Sequence, residues 1–190
     1  IRDDLVTGVQ TCALPIFAGD GDFLSIGAEH IPPAANRNVD ITAVVMDNGV
    51  YGLTKGQSSP TSAFGAITTS TPFGKIENPV SPLKQYMAMG VTYIASYYSS
   101  KPRDLAKVIQ DAMNHKGFSI VHVQSPCTTY NDTYDILKGK PREGIAGLAY
   151  DIPEDHDPTS EQAANDLISR PGVPLGVVFR AEGATLQDRY

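Results

Sequence analysis

The chain has 190 residues, a formal net charge of −6 and 41% hydrophobic residues. A mildly acidic chain with no Lys/Arg cluster argues against nucleic acid or an anionic membrane as partner, and no apolar run approaches the ~20 residues that span a bilayer. Of its 2 cysteines, Cys12 falls in a stretch set aside below. Cys127 then stands alone without an intrachain disulfide, which favours a reducing, cytoplasmic setting.

Residues 1–16, IRDDLVTGVQTCALPI, have no hydrophobic period and no charge logic. Asp3 and Asp4 cancel the basic start that a secretory signal needs, and Gln10 and Thr11 break the apolar run. The stretch reads instead as a translated short-read sequencing primer, with Val6–Ile16 matching one frame throughout. Fold reasoning therefore takes 1–16 as not native and 17–190 as one domain that has lost its natural N-terminus. Ala13–Phe17 is apolar enough to stand in for a strand before Gly19, although Pro15 would spoil a central position.

FAGDGDFLSIG (Phe17–Gly27) then places Gly19-Asp20-Gly21-Asp22 before an expected helix. Pro32-Pro33 would end or kink that helix, so it is expected to be split. DITAVVM (Asp40–Met46) is a short β-rich run closed by the turn Asp47-Asn48-Gly49. Gly49–Pro82 is rich in Gly, Ser, Thr and Pro, and loops of that length are functional lids or disordered segments. Ser81-Pro82 opens a short helix closed by Gly90. VTYIASYY (Val91–Tyr98) and FSIVHV (Phe118–Val123) are further strands. Between them Leu105, Val108, Ile109, Ala112 and Met113 recur at helical spacing, with Pro102 suited to the first turn and Gly117 to the stop. PLGVVF (Pro174–Phe179) is a fourth strand. The alternation predicts an α/β fold with a parallel sheet flanked by helices, whose ligands sit beyond the carboxyl ends of the strands.

Chemistry concentrates at two of those ends. The glycines of Gly19-Asp20-Gly21-Asp22 let backbone approach a ligand, and the helix start offers N–H groups suited to diphosphate. The carboxylates would repel phosphate unless a cation lies between, and Mg²⁺ takes such oxygens. An acidic turn with a cap is the plainer alternative. With 26 residues between Gly21 and Asn48, a right-handed βαβ unit would bring both turns to one sheet edge. Asp20 and the Asn48 amide oxygen could then share a metal, with the Val50 carbonyl as a third ligand. His115, His122 and His156 lack metal-ligand spacing and a nucleophile partner, so each is read as structural or superficial. His30 belongs to the first helix. No Ser-His-Asp arrangement or dinucleotide fingerprint is legible.

Gly-Asp-Gly, this spacer and Asn resemble the thiamine diphosphate motif. GDGDFLSIG, VVMDNGVYGLTKGQSSPTS, HKGFSIVHVQSPCTTYN and HDPTSEQAA together resemble the β subunit of 2-oxoacid:ferredoxin oxidoreductases, in its 2-oxoglutarate-type branch, across nearly all of 17–180. The resemblance implies a thiamine diphosphate-binding fold, N-terminally truncated, with a C-terminal extension from about residue 128. It implies that Asp20, Asn48 and the Val50 carbonyl hold Mg²⁺. Backbone of the Gly19–Asp22 turn, around Gly21-Asp22, and of Gly52-Leu53-Thr54 would hold the diphosphate. Lys55 would meet a substrate carboxylate or coenzyme A, unless it is a solvated lysine. Cys127, by itself most often a small buried hydrophobe, would be one of four thiolates of a [4Fe–4S] cluster, the other three lying upstream of Phe17. The implied reaction is oxidative decarboxylation of a 2-oxoacid to an acyl-CoA, with electrons passing through the cluster to ferredoxin. The implied partners are the α (or fused γ–α) subunit and ferredoxin, and the Glu that activates the cofactor is expected from a partner. A non-redox thiamine-dependent decarboxylase or synthase is the rival enzyme class, and an inactive or weakly binding fragment is the rival for the chain alone.

Overall fold

The structure is a computed structural model that describes residues 14–190. The primer-like residues 1–13 lie outside this range. The elements run β1 (Leu14–Gly19), α1 (Ile31–Arg37), β2 (Ile41–Asp47), the hairpin β3 (Val50–Tyr51) and β4 (Gln57–Ser58), α2 (Pro82–Ala88), β5 (Tyr93–Tyr98), α3 (Pro102–Asn114) and β6 (Ser119–Gln124). They continue with α4 (Tyr134–Lys138), the hairpin β7 (Gly139–Lys140) and β8 (Ile145–Ala146), β9 (Ala149–Asp151), α5 (Glu161–Ile168) and β10 (Val173–Arg180).

Six strands form one sheet in the order β1-β2-β6-β5-β10-β9. The first four are mutually parallel, so their carboxyl ends share one edge. β5 is buried at every residue and β6 at all but its last, the mark of strands covered on both faces. Val44, Val121 and Ala95 face Leu105, Val108 and Ala112 of α3. Ala43, Val45, Ile120 and Ile94 face the opposite layer, where Ile31 and Ala35 of α1, Tyr86 of α2, and Ala164 and Leu167 of α5 pack.

Three sequence expectations are refined here. The sheet is mixed, because β10 pairs antiparallel with β5 while running parallel to β9. Hydrophobic runs carry no strand direction, and the return through α5 sets it. The helical segment after Gly21 is split into a π-helical turn at Asp22–Ile26, a 3₁₀ turn at Ala28–His30 and α1. Pro32 and Pro33 fall in the first turn of α1, where their missing N–H groups have no partner to lose. Leu14–Ile16, set aside at the sequence level, pair with Ile41–Ala43, so Pro15 occupies the outermost strand of the described sheet.

Residues 49–82 form an ordered loop. The buried Lys75 ammonium donates to the carbonyls of Ser59, Pro60 and Ser62 at 3.1, 3.2 and 3.0 Å. Backbone pairs between Gly65 and Lys75 and between Lys75 and Ala66 close the same turn.

Candidate active site

The parallel pairing of β1 with β2 ends at Gly19 opposite Met46. The next residues on each strand, Asp20 and Asp47-Asn48, therefore meet at the carboxyl edge. Asp20 is 1% exposed. Its Oδ1 accepts from the Asn48 N–H at 3.3 Å and its Oδ2 from the Thr61 hydroxyl at 2.8 Å. Two consecutive side-chain turns shape the other half. Asp47 accepts from Gly49 N–H and Asn48 Oδ1 from Val50 N–H, each at 3.0 Å. Gly49 completes this bend with φ of +69°.

Gly21 is bound to the same site through Tyr51. The Tyr51 hydroxyl donates to the Gly21 carbonyl at 3.1 Å, and a Cβ at position 21 would overlap its ring. Gly52 faces the Asn48 amide nitrogen, which an added Cβ would meet at 4.0 Å. Asp22 is exposed at the start of the π-helical turn. Leu53, Thr54 and Lys55 stand at the exposed tip of the β3–β4 hairpin, where Gln57 pairs with both the hydroxyl and the carbonyl of Thr54. Lys55 adopts a left-handed φ of +83°, uncommon for a residue with a Cβ. It lines a cavity of about 350 Å³ with Gly56, Ile67, Thr68, Thr69 and Tyr130.

Cys127 lies at the same edge. β6 ends beside β2, and Ser125 N–H donates to the Asp47 carbonyl at 2.7 Å. Cys127 is a free, half-buried thiol whose backbone exchanges hydrogen bonds with Asn131. Asn131 in turn donates to the Asn48 carbonyl at 2.9 Å.

Thr61, Gln124 and Tyr86, which the sequence did not single out, complete the site together with His122, which it read as structural or superficial. Thr61 donates to Asp47 at 2.7 Å as well as contacting Asp20, so a single hydroxyl bridges two buried carboxyls. On the far side of Asp47, His122 Nε2 lies at 2.9 Å and Gln124 Nε2 at 3.2 Å. His122 Nδ1 faces the hydroxyl of the wholly buried Tyr86 at 3.1 Å. The two ring nitrogens of His122 thus link Tyr86 to Asp47 across the sheet face. A sequence signal for this contact exists. Asp47, His122 and Gln124 share the sheet face of Val45 and Ile120, by strand parity alone.

The two carboxyls are pushed apart in acidity. Burial, then the charge of Asp47, raises Asp20 above the usual carboxylate range, against the hydrogen bonds of Ser59, Thr61 and Asn48. Burial also acts to raise Asp47, but hydrogen bonds from His122, Thr61 and Gly49 hold it below that range. Asp20 is thus a buried carboxyl bonded only to neutral donors. Carboxylate and amide oxygens of this kind are the hard donors that Mg²⁺ takes, so Asp20 and Asn48 are the residues here that could hold it. Of the remaining histidines, His115 meets Thr92 at 3.1 Å and His156 meets the Val178 carbonyl at 2.9 Å, both distant in the chain from this network. His30 is exposed.

Residues 6–123 match the family model of the thiamine pyrophosphate enzyme, C-terminal TPP binding domain. The chain is 44% identical over 125 residues to the 2-oxoglutarate synthase subunit KorB of Archaeoglobus fulgidus, covering 65% of this chain and 47% of that one. It is 44% identical over 116 residues to the 2-oxoacid:ferredoxin oxidoreductase subunit beta of Saccharolobus solfataricus, covering 61% and 38%. Its structure is similar to that of a 2-oxoglutarate:ferredoxin oxidoreductase from Magnetococcus marinus with 2-oxoglutarate, coenzyme A and succinyl-CoA bound, with a TM-score of 0.82 and 43% identity over 90% of this chain and 57% of that one. The chain spans about half the length, or less, of the curated relatives it matches. A buried Asp20 hydrogen-bonded to Asn48 at the ends of neighbouring parallel strands and a family match over most of the chain agree, and the chain belongs to the thiamine pyrophosphate enzyme family, as a C-terminal TPP-binding domain similar to the β subunits of 2-oxoacid:ferredoxin oxidoreductases.

Proposed function

We propose that this chain is the cofactor-binding part of the β subunit of a 2-oxoacid:ferredoxin oxidoreductase acting on 2-oxoglutarate. The observation that carries the reading is Asp20, buried with only neutral hydrogen-bond donors and bonded to the backbone of Asn48 across two parallel strand ends. Asp20, the Asn48 amide oxygen and the Val50 carbonyl would hold Mg²⁺. The backbone of Gly21-Asp22 and of Gly52-Leu53-Thr54 would hold the diphosphate. Thiamine diphosphate, when bound, supplies the electron sink for loss of CO₂ from the 2-oxo carbon. Lys55, at the exposed hairpin tip, is free to meet the second carboxylate of the substrate or a phosphate of coenzyme A. Cys127 supplies one thiolate of a [4Fe–4S] cluster beside the cofactor, and the cluster hands electrons to ferredoxin. The α (or fused γ–α) subunit covers the site and contributes the activating Glu.

The test is anaerobic expression of the full-length β subunit that carries this segment, together with the α subunit, followed by ferredoxin reduction with 2-oxoglutarate and coenzyme A. Reduction dependent on both, and lost in Asp20→Ala together with Mg²⁺-dependent cofactor binding, is the expected result. Release of CO₂ without iron in the protein and without ferredoxin reduction would instead establish a non-redox thiamine enzyme.

A further inference from the structure

Among the side chains that the long loop brings to the site, Thr61 bridges its two carboxyls. Its hydroxyl lies 2.8 Å from Asp20 Oδ2 and 2.7 Å from Asp47 Oδ1. Both carboxyls are buried, Asp47 at 6% exposure. Two independent constructions fix this hydroxyl. From below, Asp47 is clamped by Gly49 N–H, His122 Nε2 and Gln124 Nε2, and His122 is itself held by Tyr86. From above, the three carbonyls bound by Lys75 belong to Ser59, Pro60 and Ser62, the residues that surround Thr61 in the chain. The Ser62 hydroxyl also donates to the Gly49 carbonyl, which ties the loop to the Asp47-Asn48-Gly49 turn.

We propose that Thr61 is a positioning residue for the Asp20 carboxylate: clamped between Asp47 and the Lys75-stapled loop, it aims the remaining Asp20 lone pairs at the cation of the cofactor complex. The proposal rests on the Mg²⁺–thiamine diphosphate reading above. A hydroxyl suits this place because it bridges two carboxyls without adding a charge that would compete with the cation. Lys75 lends its charge to loop carbonyls, not to Asp20, so its effect on the site passes through Thr61. Groups that orient a metal ligand typically change metal affinity by roughly 10–100-fold when removed.

The experiment uses the chain in complex with its α subunit and Mn²⁺ as a paramagnetic stand-in for Mg²⁺. Mn²⁺ binding is followed by electron paramagnetic resonance in the presence of thiamine diphosphate. Thr61→Val, which keeps the side-chain shape, is expected to weaken Mn²⁺ binding about 10–100-fold. Thr61→Ser is expected to bind like the wild type, and Lys75→Met to weaken binding as Thr61→Val does. The thermal midpoint of the cofactor-free complex should distinguish Thr61→Val little from Thr61→Ser. Equal Mn²⁺ affinity in Thr61→Val and wild type overturns the proposal, as does a Thr61→Ser variant as weak as Thr61→Val. Wild-type complex that binds no Mn²⁺ with thiamine diphosphate overturns the functional reading itself, a separate outcome. If Lys75→Met does not fold, the Val and Ser pair at position 61 decides.

Discussion

Asp20 and Asp47 are two carboxyls of one type, one hydroxyl apart, with opposite pH behaviour. Asp20 is raised, so its contribution to stability is fully present below the unfolded value of 3.8 and is lost as pH rises through its folded value. Asp47 is lowered, so its contribution is present above 3.8 and is lost as pH falls through its folded value. At neutral pH without a cation, Asp20→Asn should therefore raise the thermal midpoint of the complex. Adding Mg²⁺ and thiamine diphosphate should reverse the ranking, because only the wild type gains binding stabilisation. Melting curves with and without the cofactor check both directions. For Cys127, Cys127→Ser in the anaerobically prepared complex of the full-length β subunit with its α subunit should remove iron and ferredoxin reduction while thiamine diphosphate binding persists. Retained iron would leave the thiol as a packing residue. Asp20 and Asn48 were legible in the sequence because glycine-flanked turns at strand ends carry their own punctuation. Thr61 was not, because it reaches the site from 41 positions along the chain through an irregular loop. His122 was hidden differently: a lone histidine in an apolar strand looks structural until the register sets it beside Asp47.

At the scale of elements, one buried residue holds the sheet edge opposite the site. Asn38 ends α1 in a left-handed conformation, φ 46° and ψ 54°. Its amide nitrogen donates to the carbonyls of Gly183 and Ala184, and its oxygen accepts from Thr92 Oγ1 and Phe118 N–H at 2.9 Å each. Asn tolerates that backbone better than other residues with a Cβ. Asn38→Ala orphans several buried groups at once and should cost about 2–4 kcal/mol, read as a lower urea midpoint at unchanged slope. Gly21 and Tyr51 test a different junction. Gly21→Ala should displace the Tyr51 ring and weaken cofactor binding, and adding Tyr51→Ala should recover part of the loss. The main strands and α3 were readable because their hydrophobic periods are long and bounded by Pro and Gly. The β3–β4 and β7–β8 hairpins and β9 were not, being only two or three residues each, too short for any period to register. The order within residues 49–82 was also invisible, since it depends on a buried lysine and its three carbonyl partners, a contact set that composition does not encode.

Across the whole molecule, apolar exposure is uneven. Leu53, Phe64, Ile67, Phe73 and Ile76 are all exposed, Leu53 at 96% and Phe73 at 100%, and all lie on the one loop that carries the hairpin tip and Thr61. No Asp or Glu occurs between Leu53 and Ile76, in a chain with 21 such residues. Large apolar side chains gathered on one segment mark an interaction surface, whereas single ones scattered elsewhere need no partner. The depletion of acids has the same sense, because charged residues are scarce at the centre of protein interfaces. An α subunit placed over the cofactor, as proposed above, would reach this loop. Phe73→Ser combined with Ile76→Ser should therefore weaken association with the α subunit by a factor of ten or more, as truncation of buried interface anchors does. The same pair should leave the thermal midpoint of the isolated chain nearly unchanged, because exposed side chains contribute within about 0.5 kcal/mol to its stability. Ile145→Ser, at an exposed apolar position on β8, is the control and should leave association intact. Co-purification and sedimentation of the mixed subunits measure all three. An unchanged complex with the double variant would mean that the loop faces solvent in the assembly and that the α subunit approaches the cofactor from another side.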